Sequence, residues 1–241
     1  MNTNLMSSLK AFLMISLLAV SLNASSQEGM HGSTPRMIHG IGASFQSFDG
    51  LNERIKGFPQ YEQLKDRSAV LQLGWQTEKR RFISALDLTS GSSMSGDPEE
   101  KSSSVRFLGA STDIGYDLLK SEKVMLYPLV GVGFETYQAR FFTDNSEVSF
   151  NNIIGTPAVQ SEIAPVKFRN NFFNYRLGAG VQFKCTKSSS HSIGLQGGYT
   201  GSFKDKAWRS NDSQKLKDSP EDRIGRFYVS LIFGYLPKFK H

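Results

Sequence analysis

The chain lacks most of the usual handholds. Its 241 residues include one cysteine, Cys185, which excludes an intramolecular disulfide framework and a multi-cysteine zinc site. Hydrophobic residues make up only 39% and the mean hydropathy is −0.32, low for a packed globular core. Long apolar runs are missing beyond the N-terminus. The longest there, 124–134 (VMLYPLVGVGF), contains Pro128 and two glycines and falls short of the about 20 residues a helix needs to cross a bilayer. The histidines, His31, His39, His191 and His241, form no pair at metal-ligand spacing, so no metal or cofactor is expected. No GxSxG, HExxH or phosphate-binding loop motif is present.

Aromatic residues and glycine are plentiful instead. Aromatics reach 12% and glycines number 22, which is not the profile of a disordered polar chain. The N-terminus carries an export pattern. Residues 1–10 are polar with one cation, Lys10; residues 11–22 (AFLMISLLAVSL) are apolar and uncharged; small residues at Ala24 and Ser26 follow. This reads as a signal peptide over 1–26, cleaved after Ser26. No cysteine follows the apolar region, which argues against a lipid anchor. A short extension, 27–36, then leads into one domain over 37–241. Removing the signal takes the net charge from +6 to +5.

Period-two alternation runs through that domain. In 172–185, Phe173, Tyr175, Leu177, Ala179, Val181 and Phe183 share one face, and Phe172, Asn174, Arg176, Gly178, Gly180 and Gln182 the other. A strand separates these sets, whereas a helix would mix them. The same holds for 68–77, 192–203 and 227–235. Further candidates at 39–48, 81–89, 104–118 and 124–141 complete a set of eight, with 81–89 the weakest because Ser84 and Asp87 fall on opposite faces. The connections alternate long and short along the chain: 49–67, 78–80, 90–103, 119–123, 142–170, 186–191 and 204–223. Transmembrane barrels alternate long outer loops with short turns in this way.

Nearly every strand is apolar on one face only, and no helix is available to cover that face. A closed barrel resolves this, because its outer wall meets lipid while its backbone groups pair around the ring. Only about 40 lipid-facing residues are needed for eight strands, which accounts for the low hydropathy. The polar faces carry glycine (Gly131, Gly133, Gly178, Gly180, Gly194, Gly198), suited to an interior just wide enough for side chains. Trp75, Tyr116, Tyr127, Phe141, Phe173, Phe203, Phe227 and Tyr235 are expected to form interfacial girdles.

The segments Tyr127-Pro128-Leu129-Val130-Gly131-Val132-Gly133-Phe134 and Leu177-Gly178-Ala179-Gly180-Val181-Gln182-Phe183 resemble strands of the small eight-stranded outer-membrane barrel family of Gram-negative bacteria. That group includes the OmpX, OmpW and OmpA-type transmembrane domains. The aromatic-rich segment 226–236 is similar to the family's terminal strand, which implies the barrel-insertion machinery as a partner. Here Pro237-Lys238-Phe239-Lys240-His241 follow it, whereas the family often ends on an aromatic residue.

Inner-face charges are the candidate site residues. Glu135 lies about six residues before the long third connection and Arg176 about six after it, so antiparallel pairing predicts a Glu135–Arg176 ion pair inside the barrel. Asp113 and Asp87 are further contributors, and the pair serves as a register-fixing plug or as a gate. His191-Ser192 has hydrolase residue types but lies at a short turn, the wrong end for chemistry on outer-leaflet lipid. The fourth connection mixes Lys204, Lys206, Arg209, Lys215, Lys217 and Arg223 with five acids, which describes a solvated loop or a contact for lipopolysaccharide phosphates. The third connection, with Ile153, Ile154, Ala158, Val159, Ile163 and Val166, either folds over the barrel mouth or extends the strands. Nucleic-acid binding has no support beyond a pI of 9.3.

The expected fold is therefore all-β, a closed antiparallel eight-stranded transmembrane barrel with up-and-down order. The expected protein is a monomer in the outer membrane, in contact with lipid and lipopolysaccharide. Its role is structural, adhesive or small-solute passage, and not enzymatic. The alternatives are a lipid A-modifying enzyme and a soluble exported barrel of lipocalin type.

Overall fold

The alternating segments become eight long strands. The computed structural model describes residues 35–185, 190–210 and 212–237; the expected signal segment, most of the short extension, His31 and His241 lie outside them. The barrel strands are β1 (Arg36–Gln46), β2 (Arg67–Lys79), β3 (Phe82–Gly96), β4 (Ser102–Tyr116), β5 (Val124–Phe142), β6 (Val166–Lys184), β7 (His191–Ser202) and β8 (Gly225–Tyr235). Each pairs antiparallel with the next. β1 pairs with β8 from Met37 opposite Tyr235 to Gln46 opposite Arg226, which closes the ring. The chain is thus a closed eight-stranded antiparallel β-barrel. Closure leaves no row of unpaired backbone groups along a sheet edge.

The strands run further at one end of the barrel than their apolar faces predict. β3 continues to Gly96 and β4 begins at Ser102, so the second connection is the tip of a tall hairpin and not the long loop expected over 90–103. β6 begins at Val166, six residues before the alternation becomes clear. Beyond the lipid a strand has water outside, so the hydrogen-bond ladder continues while the apolar face stops. At the opposite end the connections are short. Arg80 and Arg81 alone join β2 to β3, both at positive φ (50° and 75°), as a twist-matched two-residue hairpin turn requires.

Three short helices lie in the long connections among the described residues: α1 (Asp49–Lys56), α2 (Phe150–Gly155) and α3 (Pro157–Ile163). α2 and α3 bury no side chain, so the third connection extends its strands instead of covering the mouth. α1 buries Leu51 and Ile55.

The outer wall is apolar and bare. Ile41, Leu71, Leu108 and Leu177 are each at least half exposed. A continuous exposed apolar band of this kind marks a surface that meets lipid. Aromatic rings border it on both sides. On one, Phe134–Phe173, Tyr175–Phe203 and Tyr199–Phe227 pack at centroid distances of 5.2, 5.5 and 5.0 Å. On the other, Phe82–Tyr116 and His39–Tyr235 pack at 5.2 and 5.5 Å, with the Arg81 guanidinium over Tyr116. Two of the expected girdle residues are corrections: Tyr127 and Phe141 point inward and are buried. Both occupy odd positions of β5, the inward set of that strand, so their parity outweighs their residue type.

Candidate functional site

The lumen is filled in layers. Nearest the short turns, Gln182 Nε2 donates to Gln76 Oε1 (2.8 Å) and to Tyr127 Oη (3.0 Å), and Tyr127 Oη donates to Gln196 Oε1 (3.4 Å). Above this, Arg176 Nη1 lies 2.9 Å from Asp113 Oδ2 and 3.5 Å from Asp87 Oδ2 and also meets Ser111 Oγ, while Nη2 donates to Tyr228 Oη (3.3 Å). A void of about 20 Å³ beside these two layers has room for roughly one water. Gly74 and Gly131 make the central layer possible. A Cβ at Gly131 would strike the Asp113 carboxylate, and one at Gly74 the Asp87 carboxylate.

The next layer joins Glu135 to Arg226. Arg226 Nη2 bonds Glu135 Oε1; Tyr137 Oη donates to Glu135 Oε2 (2.8 Å) and accepts from Arg226 Nη1 (3.3 Å). The guanidinium carbon sits 4.2 Å from the Phe107 ring centroid. All of these ionic groups are at most 5% exposed, so each must hold its partner or bear the cost of an isolated buried charge.

An apolar cap closes the mouth. Phe48, Leu51 and Ile55 of the first connection, Trp208 and Ile224 of the fourth, and Phe141 and Phe172 of the wall belong to one buried cluster. Asp222 latches the two connections together. Its Oδ1 accepts from Gly50 N (2.7 Å), and its Oδ2 from Leu51 N (3.1 Å) and Trp208 Nε1 (2.6 Å). Two of these donors are first-turn amides of α1, which has no side-chain cap of its own. Burial pushes the Asp222 carboxyl above the ordinary aspartate value, although the three donors pull the other way. A two-residue ladder, Lys206–Ala207 against Glu221–Asp222, holds the latch, and Arg209–Ser210 pairs with Phe168–Arg169 of β6. Asn52 fastens the other side of α1, accepting from Leu64 N (2.8 Å) and donating to Leu64 O (3.0 Å).

The four residues singled out from the sequence all lie inside the lumen, but the expected Glu135–Arg176 ion pair is a correction. Arg176 stands opposite Gly131, and Glu135 opposite Phe172. Arg176 takes Asp113 and Asp87, and Glu135 takes Arg226. The expected register placed the start of β6 six residues late, because Lys167, Arg169, Asn170 and Asn171 look like loop. Restoring them slides the pairing and separates the two charges. Arg226, Tyr137, Trp208 and Asp222 were not singled out. The inward face of β8 (Tyr228, Ser230, Ile232) reaches Arg226 when extended by one alternation step. A lone tryptophan in a charged connection was the available sign of burial at Trp208.

His191 and Ser192 leave the wall on opposite sides, His191 exposed and Ser192 buried, so they do not act as a pair. Ser190 Oγ lies 3.0 Å from His191 Nδ1. Cys185 is exposed at the end of β6.

No protein-family model and no curated protein matches the chain. Solved outer-membrane structures do. Ail, the attachment invasion locus protein of Yersinia pestis, is 15% identical with a TM-score of 0.49, over 84% of this chain and 97% of that one. Neisserial surface protein A is 10% identical with a TM-score of 0.45, over 87% and 100%. The outer membrane protease OmpT of Escherichia coli is 8% identical with a TM-score of 0.42, over 86% and 99%. No residue of this chain takes a role from these likenesses.

Proposed function

We propose that this is a non-enzymatic outer-membrane barrel with a sealed lumen, whose structural or adhesive role is carried by its outer connections and not by solute passage. The observation that carries this reading is the mouth: α1, Trp208 and Ile224 form an apolar cap latched by Asp222, above layers of paired charges and amides. A solute would have to displace all of them. Asp87, Asp113, Glu135 and Arg176, together with Arg226, act as a plug that fixes the packing of the barrel and not as a gate.

In this reading the chain is exported, the signal is removed after Ser26, and the short-turn end of the barrel, with the start of β1 and the end of β8, faces the periplasm. The barrel-insertion machinery engages the terminal strand, and lipid and lipopolysaccharide surround the wall. The ring offers no free edge to a second chain, which supports a monomer.

Planar-bilayer conductance of the purified, folded protein tests it. The expected record shows no steps above the leak of the bare bilayer. Stable open-channel steps would overturn the sealed-lumen reading.

A further inference from the structure

Five cations stand together on the outer wall, just above the lipid band, and among the described residues none forms an ion pair. Arg106 of β4, Gln138 of β5, Arg169 of β6 and Arg209 form one row across the strands, each registered with the next. One alternation step higher, Arg140 of β5 is directly opposite Lys167 of β6. Arg106, Arg140, Arg169 and Arg209 point away from the lumen, because their neighbours Val105, Phe107, Ala139, Phe141, Asn170 and Trp208 are buried, and Lys167 shares the parity of Arg169 on β6. Like charges directly opposite each other destabilise a sheet. Yet among the described residues the ion pairs involve other cations: Arg176, Lys184, Arg223 and Arg226. Arg140 contacts only the neutral Gln138, and Arg209 a backbone carbonyl, that of Ser213.

The position gives the repulsion a purpose. Leu108, 59% exposed, lies two residues below Arg106, about 7 Å along the strand. Below it stand Phe134 and Phe173, packed against each other at a tilt of 60° at the border of the band. A ligand that satisfies this surface needs acyl chains for the lower part and clustered anionic oxygens for the upper. Planar guanidinium groups match phosphate with paired hydrogen bonds.

We propose that the outer wall of β4, β5 and β6 binds the phosphorylated headgroup of lipopolysaccharide, with Arg106, Arg140, Lys167, Arg169 and Arg209 on its phosphates and its acyl chains on Leu108, Phe134 and Phe173. The proposal rests on the outer-membrane reading above, and places the lipid contact on the wall and not in the mixed-charge fourth connection.

The test is native mass spectrometry of the full chain in detergent, titrated with bisphosphorylated lipid A, its dephosphorylated form, or phosphatidylglycerol. The variant is Arg106→Gln/Arg140→Gln/Arg169→Gln, whose changes lie outside every ion pair and leave folding intact, as heat-modifiable migration checks. The expected result is retention of bisphosphorylated lipid A by the wild type, at least tenfold weaker for the variant and for the dephosphorylated lipid. Equal retention by the variant, or equal retention of phosphatidylglycerol, would overturn the proposal. Membrane fractionation of wild type and variant reads the outer-membrane reading separately: absence of the wild type from the outer membrane would sink that reading, whatever the lipid titration gives.

Discussion

Arg226 crosses the lumen to Glu135, linking β8 to β5, two strands that share no backbone hydrogen bond. Its other face lies on the Phe107 ring of β4. One guanidinium thus ties β8 to the paired strands β4 and β5 across the lumen, and the pair behaves as an internal brace.

Breaking that brace from one side leaves a buried charge. Glu135→Gln is expected to lower stability by about 3–5 kcal/mol, because Arg226 loses its counter-ion. Glu135→Gln/Arg226→Met is expected to cost less than the two single changes added together. Urea unfolding of the folded protein in detergent checks this, and additive losses would deny the coupling.

Glycine is required where a carboxylate crowds the wall. Gly131→Ala drives a methyl group into Asp113 and is expected to cost about 1–3 kcal/mol as the Arg176 cluster shifts. Gly155→Ala, with open space around its Cβ, serves as the control and should be near neutral. Comparable losses at both sites would show that crowding is not the cause.

The latch at the mouth depends on Asp222. Asp222→Ala strips α1 of its cap, a loss of about 1 kcal/mol, and leaves the buried Trp208 N–H unpaired, a further 1–3 kcal/mol or so. Amide hydrogen exchange over 49–56 should accelerate, with the barrel strands unchanged. The pH dependence follows from the raised carboxyl. The folded state binds this proton more tightly than the unfolded chain, so the contribution is present below the unfolded pKa of about 3.9 and is lost as pH rises through the folded value. Mild acid is therefore expected to keep the mouth closed; lower protection factors over 49–56 at pH 5 than at pH 7.5, each taken against the intrinsic exchange rate at its own pH, would contradict this.

Ile41 lies at mid-height of the exposed band, opposite Leu71 on one side and Leu231 on the other. Ile41→Arg is expected to destabilise folding into lipid vesicles by about 2–4 kcal/mol. A neutral outcome would mean that this face meets water.

Orientation can be read from the single cysteine. Cys185 is exposed at the short-turn end of β6, so a maleimide coupled to a polymer too large for the outer membrane should leave it unlabelled in intact cells. Labelling should appear once the membrane is permeabilised. Labelling of intact cells would invert the topology.

Alternation determined most of the wall of this protein: the clear strands with their inner and outer faces, and the placement of Glu135 and Arg176 in the lumen; β3, with Asp87, followed only from the need for a strand between its neighbours. Period two is a local property, written in neighbouring residues and enforced by lipid on one side. Where lipid ends, that signal fades, and with it the sequence lost the upper parts of β3, β4 and β6. Only the tertiary structure decided the partners of the buried charges, because register depends on those upper residues and because Arg226 meets Glu135 across a lumen that exists only after closure. The capped mouth belongs to the same class. Asp222 accepts from Gly50 and Leu51 across some 170 residues of chain, and no pattern in either segment announces a donor that distant.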